Sequence, residues 1–284
     1  MRSIMMRRLT RHRLGLIGLL ILLAVVVTAA GGSVLAPRDP FQQALSLRLL
    51  PPLASPSQGR PAFLGTDQLG RDVLSRIIFG SRTSLIVATL SVALAGVVGL
   101  ALGLAAGFYG GILDSAIMRL VDMQLAFPLI LLALAILGLM GASLVNLVVV
   151  FVITGWPLYA RTIRGAVLAI KGMEFMEAAR ALGVSDARLM VRHLLPNVGG
   201  PLVIIASYEM ARIIILEAAL GFLGLGVQPP TPTWGNMLAD GREYIRDAWW
   251  LATFPGVAIM VTAAGINFVG DWLRDLLDPR LSIE

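Results

Sequence analysis

Three charged side chains, Glu209, Arg212 and Glu217, stand inside an otherwise apolar stretch from about residue 200 to 225. An ionised group at the centre of a bilayer costs roughly 2.5–3.5 kcal/mol on insertion scales, so each needs a partner or a task. Glu209 and Arg212 are three residues apart, a spacing that lets them neutralise each other on a helix. Glu217 has no such helical partner. Three readings stay open for it: contact with a cationic end of a cargo in a pathway, pairing with a neighbouring subunit, or an interfacial water contact. A place on a pathway or at a subunit interface is open to Glu209 and Arg212 as well, and Asn146 and Asn267 are weaker candidates of the same kind. Other chemistries drop out by composition. The chain has no cysteine, which removes disulfides, thiolate metal sites and Cys nucleophiles. His12 and His193 are too few and too far apart for a multi-histidine metal site. The single lysine, Lys171, lies between Ile170 and Gly172, so no Walker A loop is present and any ATP-driven step needs another chain. No catalytic, metal or cofactor site is expected in this chain.

The elements that must carry these groups are membrane spans. Of the 284 residues 57% are hydrophobic and 14% charged, with a mean hydropathy of +0.83. A soluble domain carries about 25% charged residues. The apolar residues here fall into runs of about 20, long enough to cross a hydrocarbon core of about 30 Å as helices. Six spans are expected, near 14–36, 84–108, 123–141, 144–163, 200–225 and 249–269. Arg2, Arg7, Arg8, Arg11 and Arg13 precede the first run without an acid, which places both termini of a six-span chain in the cytoplasm. An uncleaved first span is favoured over a signal peptide, whose apolar run is only about 7–15 residues. The first external loop runs against the charge bias with Arg38, Arg48, Arg60, Arg71, Arg76 and Arg82; the last three are expected to snorkel to headgroups. The net charge of +6 flanks spans and does not interleave with aromatics, so lipid and not nucleic acid is the expected partner. Gly96, Gly99, Gly103 and Gly107 form one stripe suited to close helix packing within the bundle. Pro128, Pro157, Pro201 and Pro255 are expected to kink or start helices. Trp234, Trp249 and Trp250 read as interfacial anchors.

Residues 171–197, KGMEFMEAARALGVSDARLMVRHLLPN, are too polar to span and too patterned for a plain loop. A short helix from Glu174 to Leu182 is expected, with Phe175, Ala179 and Leu182 on one face. Gly183 stops it, being unstrained in the left-handed conformation that ends a helix. Ser185 is expected to cap a second helix over 187–195 that Pro196 ends. Such an element fits a lipid surface, a packing strut or a cleft of a soluble partner. The acids Glu174, Glu177 and Asp186 argue against lipid. Small Ala178, Ala179 and Ala181 among a few charges suit a protein cleft.

Glu177-Ala178-Ala179, Gly183 four residues after Ala179, and Leu195-Pro196 at the end resemble the EAA loop of binding-protein-dependent ABC importer permeases. His193 stands where the motif usually has Ile, a variant of the peptide-importer branch. Residues 63–85, 220–242 and 270–281 are similar to segments of the second permease subunit of dipeptide, oligopeptide and nickel importers. The resemblance implies an all-α integral membrane protein with six transmembrane helices and a cytoplasmic coupling-helix loop, the type I ABC importer fold. Residues 1–62 would hold the N-terminus, first span and external loop. Residues 63–284 would form the five-helix transmembrane domain. It implies that Glu174, Glu177, Ala178, Ala179, Gly183, His193, Leu195 and Pro196 couple to an ATPase. The implied partners are a second homologous permease, one or two P-loop ATPase subunits holding ATP and Mg, and an extracytoplasmic substrate-binding protein facing segments 63–83 and 226–248. The chain would be a translocase subunit in the bacterial inner membrane without its own ATPase site. Peptides are the expected cargo; nickel chelates, glutathione, opines or sugars are alternatives. A secondary transporter would more often show inverted repeats or an acid relay and would leave the EAA segment without a role. A membrane enzyme lacks a supporting constellation.

Overall fold

A computed structural model describes residues 13–55 and 61–277. Arg2, Arg7, Arg8, Arg11, His12, Arg60 and the tail from Asp278 onward lie outside the described residues. The described chain is helical, and its only β pairing is two isolated bridges, Ala54 with Ala62 and Thr66 with Asp72. The helices are α1 (Arg13–Ala30), α2 (Gly32–Leu35), α3 (Val73–Tyr109), α4 (Gly111–Leu125), α5 (Leu129–Met140) and α6 (Leu144–Lys171). They are followed by α7 (Glu174–Ala181), α8 (Asp186–Arg188), α9 (Leu195–Phe222), α10 (Trp234–Arg242) and α11 (Trp250–Leu277).

By length and apolarity α1, α3, α6 and α11 can each cross a membrane, and α4 with α5 makes one further, bent candidate. The expected third span is therefore corrected. The expected 123–141 is α5 with only the last turn of α4, and the two helices meet at 88° across Ala126–Pro128. Pro128 has no N–H for a continuous ladder and disfavours helical backbone at Phe127, so the chain turns there. The fifth expected span, α9, is 28 residues long and carries three charges, of which Glu209 and Glu217 are buried. The second helix begins earlier than hydropathy suggests. Asp72 caps it, accepting from Ser75 N at 2.8 Å, and its 37 residues end at Tyr109. At 1.5 Å per residue it is about 55 Å long and links the two ends of the molecule.

The glycine stripe packs α3 against α6. A Cβ on Gly99 would lie 2.4 Å from Tyr159 Cβ, and one on Gly103 2.6 Å from the Ala160 carbonyl oxygen. Only hydrogen fits at that spacing, and the close approach gains dispersion along both helices. Helix α1 is part of the same bundle: Gly18 packs on Phe268 and the Gly265 carbonyl, and Gly15 under the Trp272 ring. The main core gathers Val87, Leu147, Phe151, Ile213, Ile214 and Trp234 from α3, α6, α9 and α10.

Segments 37–55, 61–72 and 224–249 fold over one end of α3 as a cap. Here the expected snorkelling of Arg71 and Arg76 is corrected, because both are buried. Asp67 accepts from Arg71 Nε at 2.6 Å and from Arg76 Nη1, and Asp240 lies 3.6–3.7 Å from both guanidinium groups. Arg82 alone of the three is exposed. Trp234 and Trp250 are core residues, not anchors, donating to the carbonyls of Ile77 and Thr66 at 3.1 and 3.2 Å. Trp249 keeps an exposed ring. A capping box between Thr233 and Asn236 starts α10.

Candidate functional site

The 171–197 segment lies at the other end of α3. Its first helix, α7, has Glu174 and Glu177 in the first turn and Arg180 in the last, each complementing the helix dipole. It closes in a Schellman turn: Val184 N donates to the Ala179 carbonyl at 3.1 Å and Gly183 N to that of Arg180 at 2.9 Å. Gly183 has φ +76°, which a side chain would strain. Ser185 occupies the N-cap position of α8, yet its side chain makes no capping bond, contrary to expectation.

Two further expectations are corrected. The buried face of α7 is Met176 and Ala179, packed with Leu189, Leu194, Val198, Ile163 and Phe108. Phe175 is 43% exposed and Leu182, set past the helix in the turn, is 84% exposed. Pro196 ends nothing. It sits in the first turn of α9, and residues Leu189–Leu194 before it form a π turn that carries the chain from α8 into α9. Pro196 cannot donate to a carbonyl four residues back, and the widened turn accommodates that loss. Leu195 and Pro196 are therefore part of a continuous rod and exposed on it.

The segment is tied to the bundle through the end of α3. Lys171 Nζ donates to the Phe108 carbonyl at 2.6 Å, and the Lys171 and Arg180 cations lie 5.8 and 5.5 Å from the Phe108 ring centroid. The inner side is thus closed. The outer side presents Glu174, Phe175, Glu177, Ala178, Leu182 and Val191 to solvent, with the His193 ring 6.3 Å from that of Phe175. With Arg180, Arg188, Arg192 and Asp186 also exposed, this is a face of mixed charge and apolar side chains, with two acids on α7, on a backbone that its own contacts hold.

The charges of α9 separate into two environments. Arg212 Nη2 donates to Glu209 Oε2 at 2.6 Å, as the spacing predicts. The Glu209 carboxylate is 0% exposed and lies against Gly155 and α6; the Arg212 side chain is 29% exposed. Arg212 lines a cavity of about 440 Å³ with Gln124, Phe127, Thr154 and Tyr208. Glu217 is different. At 1% exposure it is enclosed by this chain and accepts from Ser84 Oγ of α3 at 2.9 Å. None of the three expected roles fits a carboxylate sealed inside one chain, and Glu217 is corrected to a buried link between α9 and α3. Gln124, Thr154 and Tyr208 had no signal in the sequence; the bend at Pro128, which opens the cavity beside them, was the nearest clue. Among the described residues no group of three His, Cys, Asp or Glu side chains is placed to hold a metal.

Two family models match the chain. One, binding-protein-dependent transport system inner membrane component, matches residues 99–283. The other, N-terminal TM domain of oligopeptide transport permease C, matches residues 1–52. The di/tripeptide transport system permease protein DppC of Pseudomonas aeruginosa is 44% identical over 264 residues, 93% of this chain and 87% of that one. The dipeptide transport system permease protein DppC of Haemophilus influenzae is 39% identical, covering 95% and 92%. The glutathione transport system permease protein GsiD of Pectobacterium atrosepticum is 44% identical over a shorter stretch, 77% and 73%. Among solved structures, an inward-facing MetNI methionine ABC transporter superposes with a TM-score of 0.59 at 21% identity, covering 72% of this chain and 96% of that one. That likeness is one of fold.

Proposed function

This chain belongs to the family of binding-protein-dependent transport system inner membrane components, and on that premise we propose that it forms one membrane half of an ABC importer for peptides. A second permease supplies the other half. One or two P-loop ATPase subunits bind ATP and Mg on the cytoplasmic side, and an extracytoplasmic protein delivers cargo to the cap. Both termini lie in the cytoplasm of a bacterial inner membrane.

The observation that carries the reading is the 171–197 segment, whose inner face is locked to α3, α6 and α9 while its outer face is unpaired. An importer is a two-state machine biased from both sides of the membrane. Closure of the ATPases has to reach the spans through an element that moves as one body. Helix α7 meets that need through the Gly183 turn, the Lys171–Phe108 bond and the continuous passage from α8 into α9. Glu174 and Glu177 offer acids to a basic or polar patch, Ala178 permits close approach, and His193, Leu195 and Pro196 flank the contact. Ala179 and Gly183 act from inside, one by packing and one by its backbone. Glu209 and Arg212 belong to the pathway side of the chain. Peptide cargo is supported by the names of relatives that match over more than nine-tenths of this chain.

Reconstitution of the complete complex in proteoliposomes tests the function. ATP-dependent uptake of a labelled di- or tripeptide, absent without the binding protein, is the expected result. Uptake by this chain alone, or uptake of nickel chelates and not peptides, would overturn it.

A further inference from the structure

The Arg212–Glu209 pair is incomplete in a way that mutual neutralisation does not explain. The contact is a single one, through Nη2 and Oε2. Arg212 Nε and Glu209 Oε1 are both enclosed without a hydrogen-bond partner, as is the Tyr159 hydroxyl on the adjoining face of α6. A guanidinium offers five N–H donors in a fork that matches a carboxylate bidentately. Here Glu209 takes one of them and holds the group in place, while the exposed part of the side chain lines the 440 Å³ cavity. A second cavity of about 320 Å³, lined in part by Asn267, Asp271 and Arg274, shares Leu158 and Tyr208 with the first. The two volumes adjoin along α9, and each is in the size range of small-molecule pockets, about 300–1,000 Å³. Apart from Arg212, the first cavity is lined by neutral side chains, with Phe127 and Leu158 forming apolar wall and Gln124, Thr154 and Tyr208 offering polar groups.

We infer that Arg212, oriented by Glu209, is a station for a carboxylate of the translocated cargo. The inference rests on the peptide-importer reading and deepens it. Every linear peptide with a free C-terminus carries one carboxylate whatever its side chains, so a single fixed guanidinium in a mixed apolar and neutral-polar cavity holds cargo without reading its sequence. Glu209 is a positioning residue. It removes the net charge that an unpaired arginine would place inside the bundle, and a monodentate pair leaves donors for a second carboxylate.

The test uses the complete reconstituted importer, supplied with saturating loaded binding protein, and one tripeptide as free acid or C-terminal amide. Binding of each form to the isolated binding protein is measured separately, so its own preference is known. The natural complex is expected to move the acid about tenfold faster than the amide beyond that preference, the scale of one charge-assisted hydrogen bond. Arg212→Gln leaves a buried carboxylate unpaired and can misfold, so the decisive variant is Glu209→Gln with Arg212→Gln, which removes both charges together. It should bring the acid down to the amide rate, while Arg212→Lys keeps part of the preference. An unchanged acid-to-amide ratio in the assembled double variant would overturn the inference and leave the importer reading standing. Separation of the two permeases by the double variant would also overturn it, making the arginine an interface group. A natural complex that moves neither form of the peptide would instead bring down the importer reading itself.

Discussion

The cap and the 171–197 segment sit at opposite ends of α3, and the two differ in where their polar groups find partners. In the cap the buried charges and indoles find them within the chain: Asp67 binds Arg71 and Arg76, and Trp234 and Trp250 turn their N–H groups to backbone carbonyls, while Gln68 Oε1 and Arg76 Nε stay without a partner. In the 171–197 segment the backbone is closed by the Gly183 turn, but the acids Glu174 and Glu177 and the apolar Phe175, Leu182 and Val191 stay on the surface. A region finished by its own contacts is sensitive to mutation through folding. A region that leaves a patterned face open is sensitive through what it meets. The same sequence therefore contains charges whose loss unfolds the protein and charges whose loss leaves it folded and idle.

Substitutions can break that contrast, beginning with those that cost folding most. Asp67→Ala strands two buried guanidinium groups, and breaking a buried pair costs about 3–5 kcal/mol. A large drop in the thermal midpoint of the purified complex is expected, and a midpoint near that of the natural protein would mean the cap is not held by its charges. Gly103→Val forces a side chain within 2.6 Å of the Ala160 carbonyl and should cost about 1–3 kcal/mol or more by overpacking. Gly138→Ala, where a Cβ meets nothing within 4 Å, should instead be neutral or gain about 0.5–1 kcal/mol. Thermal midpoints of the two side by side check the helix contact.

At the other end the expected cost to folding is smaller and the effect on function larger. Gly183→Pro cannot adopt φ +76° and should cost about 1–3 kcal/mol locally. Membrane insertion should survive while transport-coupled ATP hydrolysis is lost. Glu177→Lys, on an exposed face, should change stability by no more than about 0.5 kcal/mol and give the same loss. Wild-type transport by both variants would break the coupling reading. Leu182→Ser is the mildest: unchanged stability, checked by thermal midpoint, with less ATPase retained when the permease is purified by a tag.

Much of this contrast was legible in the sequence, and what was missed has physical reasons. Hydropathy locates the long helices, the glycine stripe announces close packing of α3 within the bundle though not its partner α6, and the spacing of Glu209 and Arg212 states their pairing. Pro128 announces a kink and the chain does break there, but the 88° angle between α4 and α5 is not legible, because apolar residues run on through Phe127 and hydropathy registers length, not direction. Of the face expected for α7 only Ala179 is buried, with Met176 in place of Phe175 and Leu182, since an eight-residue helix gives too few repeats to fix its register. Glu217 was misplaced because its partner, Ser84, is 133 residues away in the chain. The buried arginines were misread for a similar reason: Arg71 and Arg76 precede an apolar run, as snorkelling residues do, and only the folded cap brings Asp67 and Asp240 around them.

The contrast between a cap whose charges pair within the chain and an open loop is tested most directly by site-specific cross-linking. The natural chain has no cysteine, so Leu182→Cys places one reactive thiol on the open face. Treated in native membranes with a short cysteine-reactive photocrosslinker, this variant should yield a covalent product with a P-loop ATPase subunit, identified by mass spectrometry. Leu20→Cys, on the exposed side of α1, should yield no such product. Capture of the ATPase from position 20 and not from position 182, or from neither in a complex that still transports, would contradict the assignment of the 171–197 segment as the coupling surface.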